Sequence, residues 1–280
     1  MTYLDEIEKY ADQFPDMPPF CQNLIAYLDN PDAEFKQITE MVKYDPGLTA
    51  DILKFANSSY FGAVQKVNSL HSALVRLGTK KVMELVIALS VSSRLLPCLP
   101  GYGLMARDLL KHSIWTAVAA QEIADILHMK QGEMIFTVGL MHDLGKLLLD
   151  PFVQVERLRF NNYSDGPHTS FEQKERDILG LDHAQAGAMI LEKWGLSPEI
   201  VSGVRWHHEP DKANEYQDLI YLIHLANILA LSEGIGTGNY GMQYSVSPKT
   251  IKVLGLKKYH IEYAASKTLD KMKELEDILG

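Results

Sequence analysis

Apolar residues recur along this chain mostly at three- and four-residue spacing, not in strict alternation, and the bursts are separated by Pro, Gly, Asp and Ser signals. The pattern predicts an all-α fold, a helical bundle. Helices are expected to begin near Tyr3, Pro19, Ala33, Gly47, Leu70 and Thr79, the last running through VMELVIALSVSSRLL. Further helices are expected from Ala106, Gln131, Val153, Thr169, Asp182, Ser197, Gln217, Ser247 and His260. The one mild strand candidate, VQKVNSL, is short.

Turn residues crowd the segment Pro97-Cys-Leu-Pro-Gly-Tyr-Gly103, just before a long helical pattern that starts near Ala106. The expected division therefore falls there, giving an amino-terminal helical subdomain at 1–103 and a second helical subdomain at 104–280. Histidine usage changes at the same point: His71 stands alone before it, and the other nine of ten lie after it. The second half is thus where chemistry is expected. A Gly-rich loop from Ser232 to Ser247 is long enough to act as a flap.

Composition narrows the function classes. Apolar residues make up 46% of the 280 and charged residues 22%, so a sizeable core can form. The 27 basic and 36 acidic side chains give a net charge of −9 with no massed Lys or Arg, which argues against general nucleic-acid binding. Cys21 and Cys98 lie far apart with no CxxC spacing, so neither a disulfide framework nor a thiolate metal site is expected, and a cytoplasmic setting fits. The start MTYLDEIEKY lacks the apolar core of a secretory signal. The longest apolar stretch, Leu219 to Leu231, is broken by His224 and Asn227 and is too short to cross a bilayer, so no membrane attachment is expected.

The candidate chemistry is a histidine constellation. Gly139-Leu-Met-His-Asp-Leu-Gly-Lys146 sets His142 beside Asp143 in an apolar helical context; His112 lies thirty residues upstream, and His183, His207 and His208 follow. A lone His-Asp pair means little, but these side chains can converge if their helices pack as one bundle. Imidazole and carboxylate donors suit iron, manganese, zinc or nickel, and bundle interiors commonly hold such sites. Asp143 is the natural bridge, since its two oxygens can serve two ions. Asp108, one turn before His112, is a further candidate ligand. Lys146, four residues after His142, is placed to hold a phosphate oxygen. His128, His168, His224 and His260 are read as ordinary hydrogen-bonded residues.

Through His112, His142-Asp143 and the helix Ile220-Tyr-Leu-Ile-His-Leu-Ala-Asn227, the sequence resembles the HD superfamily of metal-dependent phosphohydrolases. HDLGK at 142–146 and HHE at 207–209 make the wider set similar to the dinuclear HD-GYP relatives. The whole chain, from about Phe14 to Leu254, is more similar still to the HDOD family, a helical regulatory relative. That likeness also rests on Met17-Pro-Pro-Phe20, Tyr44-Asp-Pro-Gly-Leu48, Ile52-Leu-Lys-Phe-Ala-Asn-Ser-Ser-Tyr-Phe-Gly62 and Ser72-Ala-Leu-Val-Arg-Leu-Gly78. The resemblance implies a metal set of His112, His142, Asp143, His183, His207, His208 and Asn227, holding two divalent transition ions, with Asp143 and Lys146 as the catalytic residues of any surviving activity.

Two departures bear on function. Asn227 stands where HD enzymes usually have an aspartate, and no GYP signature follows HHE. The first metal position is therefore expected to be weak, and cleavage of cyclic di-GMP is not expected. The early motifs also have plain structural readings: Pro19 and Pro46 suit the first turn of a helix, Asp45 suits an N-cap, and Asn57, Ser58 and Gly62 end one. Two functions follow from different classes. One is a signalling module whose output is contact with a protein partner; the other is a metal-dependent phosphohydrolase that takes a nucleotide or another phosphate ligand. The first is preferred.

Overall fold

The computed structural model describes residues 2–17, 22–23, 35–43, 46–57, 66–92, 94–129, 132–163, 169–238 and 245–279. The described residues form helices with no named strand, the one pairing being an isolated antiparallel bridge between Leu99 and Leu104. The all-α expectation holds. Pro19, Ala33, Asp45, Ser58, Gly62, Cys21 and His168 lie outside the described residues, as does part of VQKVNSL.

The chain packs as two compact units. Met1–Asp16 with Arg94–Ala265 forms the first, and Met17–Ser93 with Ser266–Gly280 the second. Neither coincides with the continuous segments 1–103 and 104–280. In the first unit the amino terminus is held by distant residues: the Lys193 ammonium donates to the carbonyls of Asp12 and Phe14 at 2.6 and 2.8 Å, and the Trp194 indole donates to that of Pro15 at 3.2 Å. Tyr3 and Tyr10 both set ring edges against Phe152.

The second unit contains α2 (Phe35–Val42), α3 (Pro46–Ala56) and α4 (Leu70–Ser92). Its core includes Ile38, Val42, Ile52, Leu74, Val82 and Val86, all fully buried. Gly78 takes φ +77° inside α4, a left-handed conformation that interrupts the helix between the two starts expected at Leu70 and Thr79. Asn57 ends α3 and brackets Val67, its amide donating to the Val67 carbonyl at 2.8 Å and its oxygen accepting from the Val67 N–H at 2.7 Å.

The first unit begins with α1 (Tyr3–Gln13) and is built on α5 (Asp108–Ile126), whose residues from Leu109 to Ala124 are almost all buried. On it pack α6 (Gly132–Met141) and α12 (Gln217–Ser232), while α7 (Gly145–Val155) packs on α10 (His183–Lys193) and α11 (Pro198–Arg205) packs on α6 and α10. Shorter elements are α8 (Arg157–Asn162), α9 (Phe171–Leu179) and α13 (Thr250–Leu254). The long α14 (Lys258–Leu279) starts in this unit and continues in the other. The expected start at Val153 is replaced by α7, which opens at Gly145 and carries Pro151 within it.

Two glycines let these helices approach. A Cβ on Gly139 would stand 2.6 Å from the Cα of Ala117, and one on Gly145 would stand 1.9 Å from the His183 carbonyl oxygen. No side chain fits either gap, so α6 closes on α5 and α7 on α10. Those contacts bring the His142-Asp143 corner between His112 and His183. No helix among the described residues is long and apolar enough to cross a membrane.

Candidate metal centre

Each histidine reaches the centre from a different element. His112 lies in the middle of α5, His142-Asp143 at the turn between α6 and α7, and His183 at the first position of α10. Asp182 caps α10, accepting from the Gln185 N–H, while the Gln185 side chain accepts from the Asp182 N–H. His207 and His208 follow α11, and Asn227 projects from α12. The rings of His112, His142, His183 and His207 and the Asp143 carboxylate are buried.

The donor atoms fall into two groups that share Asp143: Asp143 with His183, His207 and His208, and Asp143 with His112 and His142. Within each group the atoms lie within 4.8 Å of one another. His112 Nε2 is 3.2 Å from His142 Nε2, 3.0 Å from Asn227 Oδ1 and 3.3 Å from Asp143 Oδ2. On the other side His183 Nε2 is 3.2 Å from Asp143 Oδ1 and His207 Nε2 is 3.9 Å from it. All seven residues of the expected set are thus brought together.

The outward nitrogens fix which atom faces inward. Nδ1–H of His112 donates to the Ile235 carbonyl at 2.9 Å, that of His142 to Gly139 at 2.8 Å, and that of His207 to Val204 at 2.7 Å. A carbonyl only accepts, so these rings carry their proton outside and turn Nε2 to the centre. Burial, partly offset by Asp143, lowers His112 to about 3, and burial with nearby His142 pushes His207 well down; both stay neutral. Lone pairs of His112 and Asn227 therefore point at one another beside a carboxylate oxygen, with His142 Nε2 3.2 Å from His112 Nε2.

Those lone pairs repel one another, and a cation held between them would relieve the repulsion. Asp143 Oδ1 and His207 Nε2 are buried without a hydrogen-bond partner, and each such group costs about 1–3 kcal/mol. A divalent transition ion on the His183 side of Asp143 would satisfy both, so the residues fit the group the resemblance implies. Burial alone would raise Asp143, but His142 and the Lys146 ammonium hold it well below the usual carboxylate range. Lys146 donates to Asp143 Oδ2 at 2.6 Å and lies 5.7 Å from the centre of the Tyr102 ring.

One candidate ligand, Asp108, does not follow the expectation, whereas His224, His260 and His128 lie outside both donor groups, as expected. Asp108 is turned away, its Oδ2 accepting from the Met105 N–H at 2.8 Å, and it belongs to neither donor group. His224 is structural, donating from Nδ1 to the His207 carbonyl at 2.8 Å and accepting the Ser247 N–H on Nε2 at 3.0 Å. His260 accepts the Lys257 N–H at 3.2 Å, and His128 takes φ +54° at the end of α5, outside the centre.

Sequence reasoning missed Glu175 and Tyr102. Glu175 is fully buried; its Oε2 accepts from His183 Nδ1 at 2.6 Å and from the His183 N–H at 3.0 Å, and the Tyr102 hydroxyl donates to its Oε1. Burial opposes charge on His183, but the Glu175 and Asp143 carboxylates override it and push His183 up to about 10. A signal was present: in α9 Phe171, Glu175 and Ile178 fall at spacings of four and three, so a carboxylate occupies a place the helical pattern reserves for an apolar side chain.

The family model for the HDOD domain matches residues 14–210. This chain belongs to the HDOD family. Among solved structures, an HDOD-like fold is shared with a protein of Shewanella amazonensis SB2B named "putative phosphohydrolase", 25% identical with a TM-score of 0.66, over 94% of this chain and 97% of that one. A "putative signal transduction protein" of Marinobacter aquaeolei VT8 is 22% identical with a TM-score of 0.72, over 99% of this chain and 61% of the other. A curated relative, an uncharacterised protein of Treponema pallidum (strain Nichols), is 22% identical over 228 residues. That match takes in 78% of this HDOD chain and 43% of the relative, so the chain spans less than half of that relative's length.

Proposed function

We propose that this HDOD protein is a regulatory module organised around a dinuclear transition-metal centre, with weak or no hydrolase activity. The observation that carries the reading is the convergence of inward-facing Nε2 atoms on both oxygens of a buried Asp143. His112, His142, Asp143 and Asn227 would hold one ion, and His183, His207, His208 and Asp143 the other. Bound ions in such centres polarise phosphoryl oxygens and lower the pKa of bound water.

Two features favour regulation. Asn227 presents a neutral oxygen beside His112, where a carboxylate would add charge to hold the ion. The Glu209-Pro210-Asp211 stretch after the paired histidines lacks the GYP segment of the cyclic-dinucleotide enzymes it otherwise resembles. The expected output is contact with a signalling partner.

The phosphohydrolase reading draws on Lys146 and on the likeness to the Shewanella protein. In that reading the Lys146 ammonium leaves Asp143 to hold a phosphate oxygen and steady its developing charge. Elemental analysis of the purified protein, followed by assay with cyclic di-GMP and a simple phosphodiester, separates these. Two equivalents of transition metal with turnover well below about 1 per second supports the module. Metal-dependent turnover at or above that rate overturns it in favour of the enzyme, and absence of stoichiometric metal overturns both.

A further inference from the structure

Behind the His183 side of the centre lies a buried chain of polar groups that has no counterpart on the His112 side among the described residues. The Tyr102 hydroxyl donates to Glu175 Oε1, Glu175 Oε2 accepts from His183 Nδ1–H, and His183 Nε2 faces Asp143 and His208. Glu175 is fully buried and Tyr102 nearly so. Burial and the Glu175 charge keep Tyr102 well above the usual phenol range, so it remains a donor. The backbone N–H of His183 also ends on Glu175, at 3.0 Å. One carboxylate thus fixes both the ring and the first residue of α10.

The next residue braces the same region. Arg176 pairs with Asp182, the cap of α10, and lies 3.5 Å from Glu209, directly after His207-His208. Consecutive residues of α9 therefore hold both ligand-bearing segments of one half of the centre. The corresponding outward partners of His112 and His142 are the backbone carbonyls of Ile235 and Gly139.

We propose that Glu175, supported by Tyr102, is a positioning residue that makes the His183–His207–His208 position the tighter of two unequal metal positions. The proposal rests on the dinuclear reading above. Its physical basis is that a carboxylate behind a ligating imidazole fixes the tautomer and strengthens the Nε2 donor, where a carbonyl dipole fixes the tautomer with less added charge. The His183 position should then be filled first and emptied last.

The test is chelator competition on the full chain loaded with zinc, beside Glu175→Gln and Tyr102→Phe. Glutamine keeps the size of the side chain and an acceptor for His183 while removing the charge. The wild-type protein should release its ions in two steps. Glu175→Gln should weaken the tighter step by about 10–100-fold and leave the weaker step in place; Tyr102→Phe should move the same step by less. Cobalt loading gives a second readout, since the ligand-field spectrum of the tighter ion should shift in Glu175→Gln and that of the weaker ion should not.

Each other outcome has one meaning. If the wild-type protein holds no stoichiometric metal, the dinuclear reading fails, and the inference with it. If the wild-type protein releases two ions and Glu175→Gln releases them identically, only the role of Glu175 is overturned. Equal weakening of both steps, with no spectral change confined to one ion, also overturns it, because that marks a general loss of packing. Should Glu175→Gln not fold, Tyr102→Phe carries the test alone, and unchanged release in that variant counts against the proposal.

Discussion

The two halves of the centre use the same kinds of side chain and differ in what stands behind them. On the His112 side the rings lean on backbone carbonyls and the closing oxygen is the neutral amide of Asn227. On the His183 side a buried carboxylate backs one ring, and three imidazoles converge with Asp143. On the proposed dinuclear reading, two positions sharing Asp143 would be tuned separately from outside, one by α9 and the other by α12.

The strongest way to break the comparison is to remove what both halves share. Asp143→Ala deletes the oxygen offered to each position, so both ions should be lost, from about two equivalents per chain to none. Metal analysis of the purified variant reads this directly, with circular dichroism showing that the helices persist. Retention of one ion would mean that Asp143 serves only one side. Full retention would remove it from the centre.

Asn227→Asp should sharpen the comparison by a smaller amount. The substitution keeps the oxygen 3.0 Å from His112 Nε2 and adds a charge, bringing the weaker position toward the strength of the other. The chelator concentration that strips the weaker ion should rise on the order of tenfold, equivalent to ~1.4 kcal/mol. No rise would mean that Asn227 only packs α12 against α5. Gain of phosphodiester turnover would count for the enzyme reading.

How far the sequence disclosed this arrangement depended on the kind of signal. Helix existence was legible because three- and four-residue apolar spacing survives any tertiary context, as in α5 and α12. The boundary near Val153 was not, because the start of α7 is set by the close approach of Gly145 to the His183 backbone, a contact between residues far apart in sequence. Histidines and Asp143 stand out by residue type, so the inner ring of the centre could be read. Glu175 was harder to read, since in a polar helix one more glutamate looks like a solvated face; its place between Phe171 and Ile178 marks it only as buried, and the contact with His183 gives it a role. Asp108 misled for the converse reason: its spacing from His112 put it on the right helix face, but the turn before α5 claimed its carboxylate.

That last residue gives the smallest effect and a control on the whole comparison. Asp108 opens α5, with its carboxylate accepting from the Met105 N–H in an exposed hydrogen bond. Asp108→Asn keeps a side-chain acceptor for that bond and removes only the negative charge at the helix start, a favourable interaction worth about 0.3–1 kcal/mol near an exposed terminus. For a chain of this length the melting temperature should fall by no more than about 4 °C. Both metal-release steps should be unchanged, because the removed charge faces a turn and not His112 Nε2. Loss of the weaker ion in this variant would show that the carboxylate leaves Met105 and joins His112 when metal binds. The His112 side would then have an anionic ligand after all, and the weakness assigned to Asn227 would need another cause.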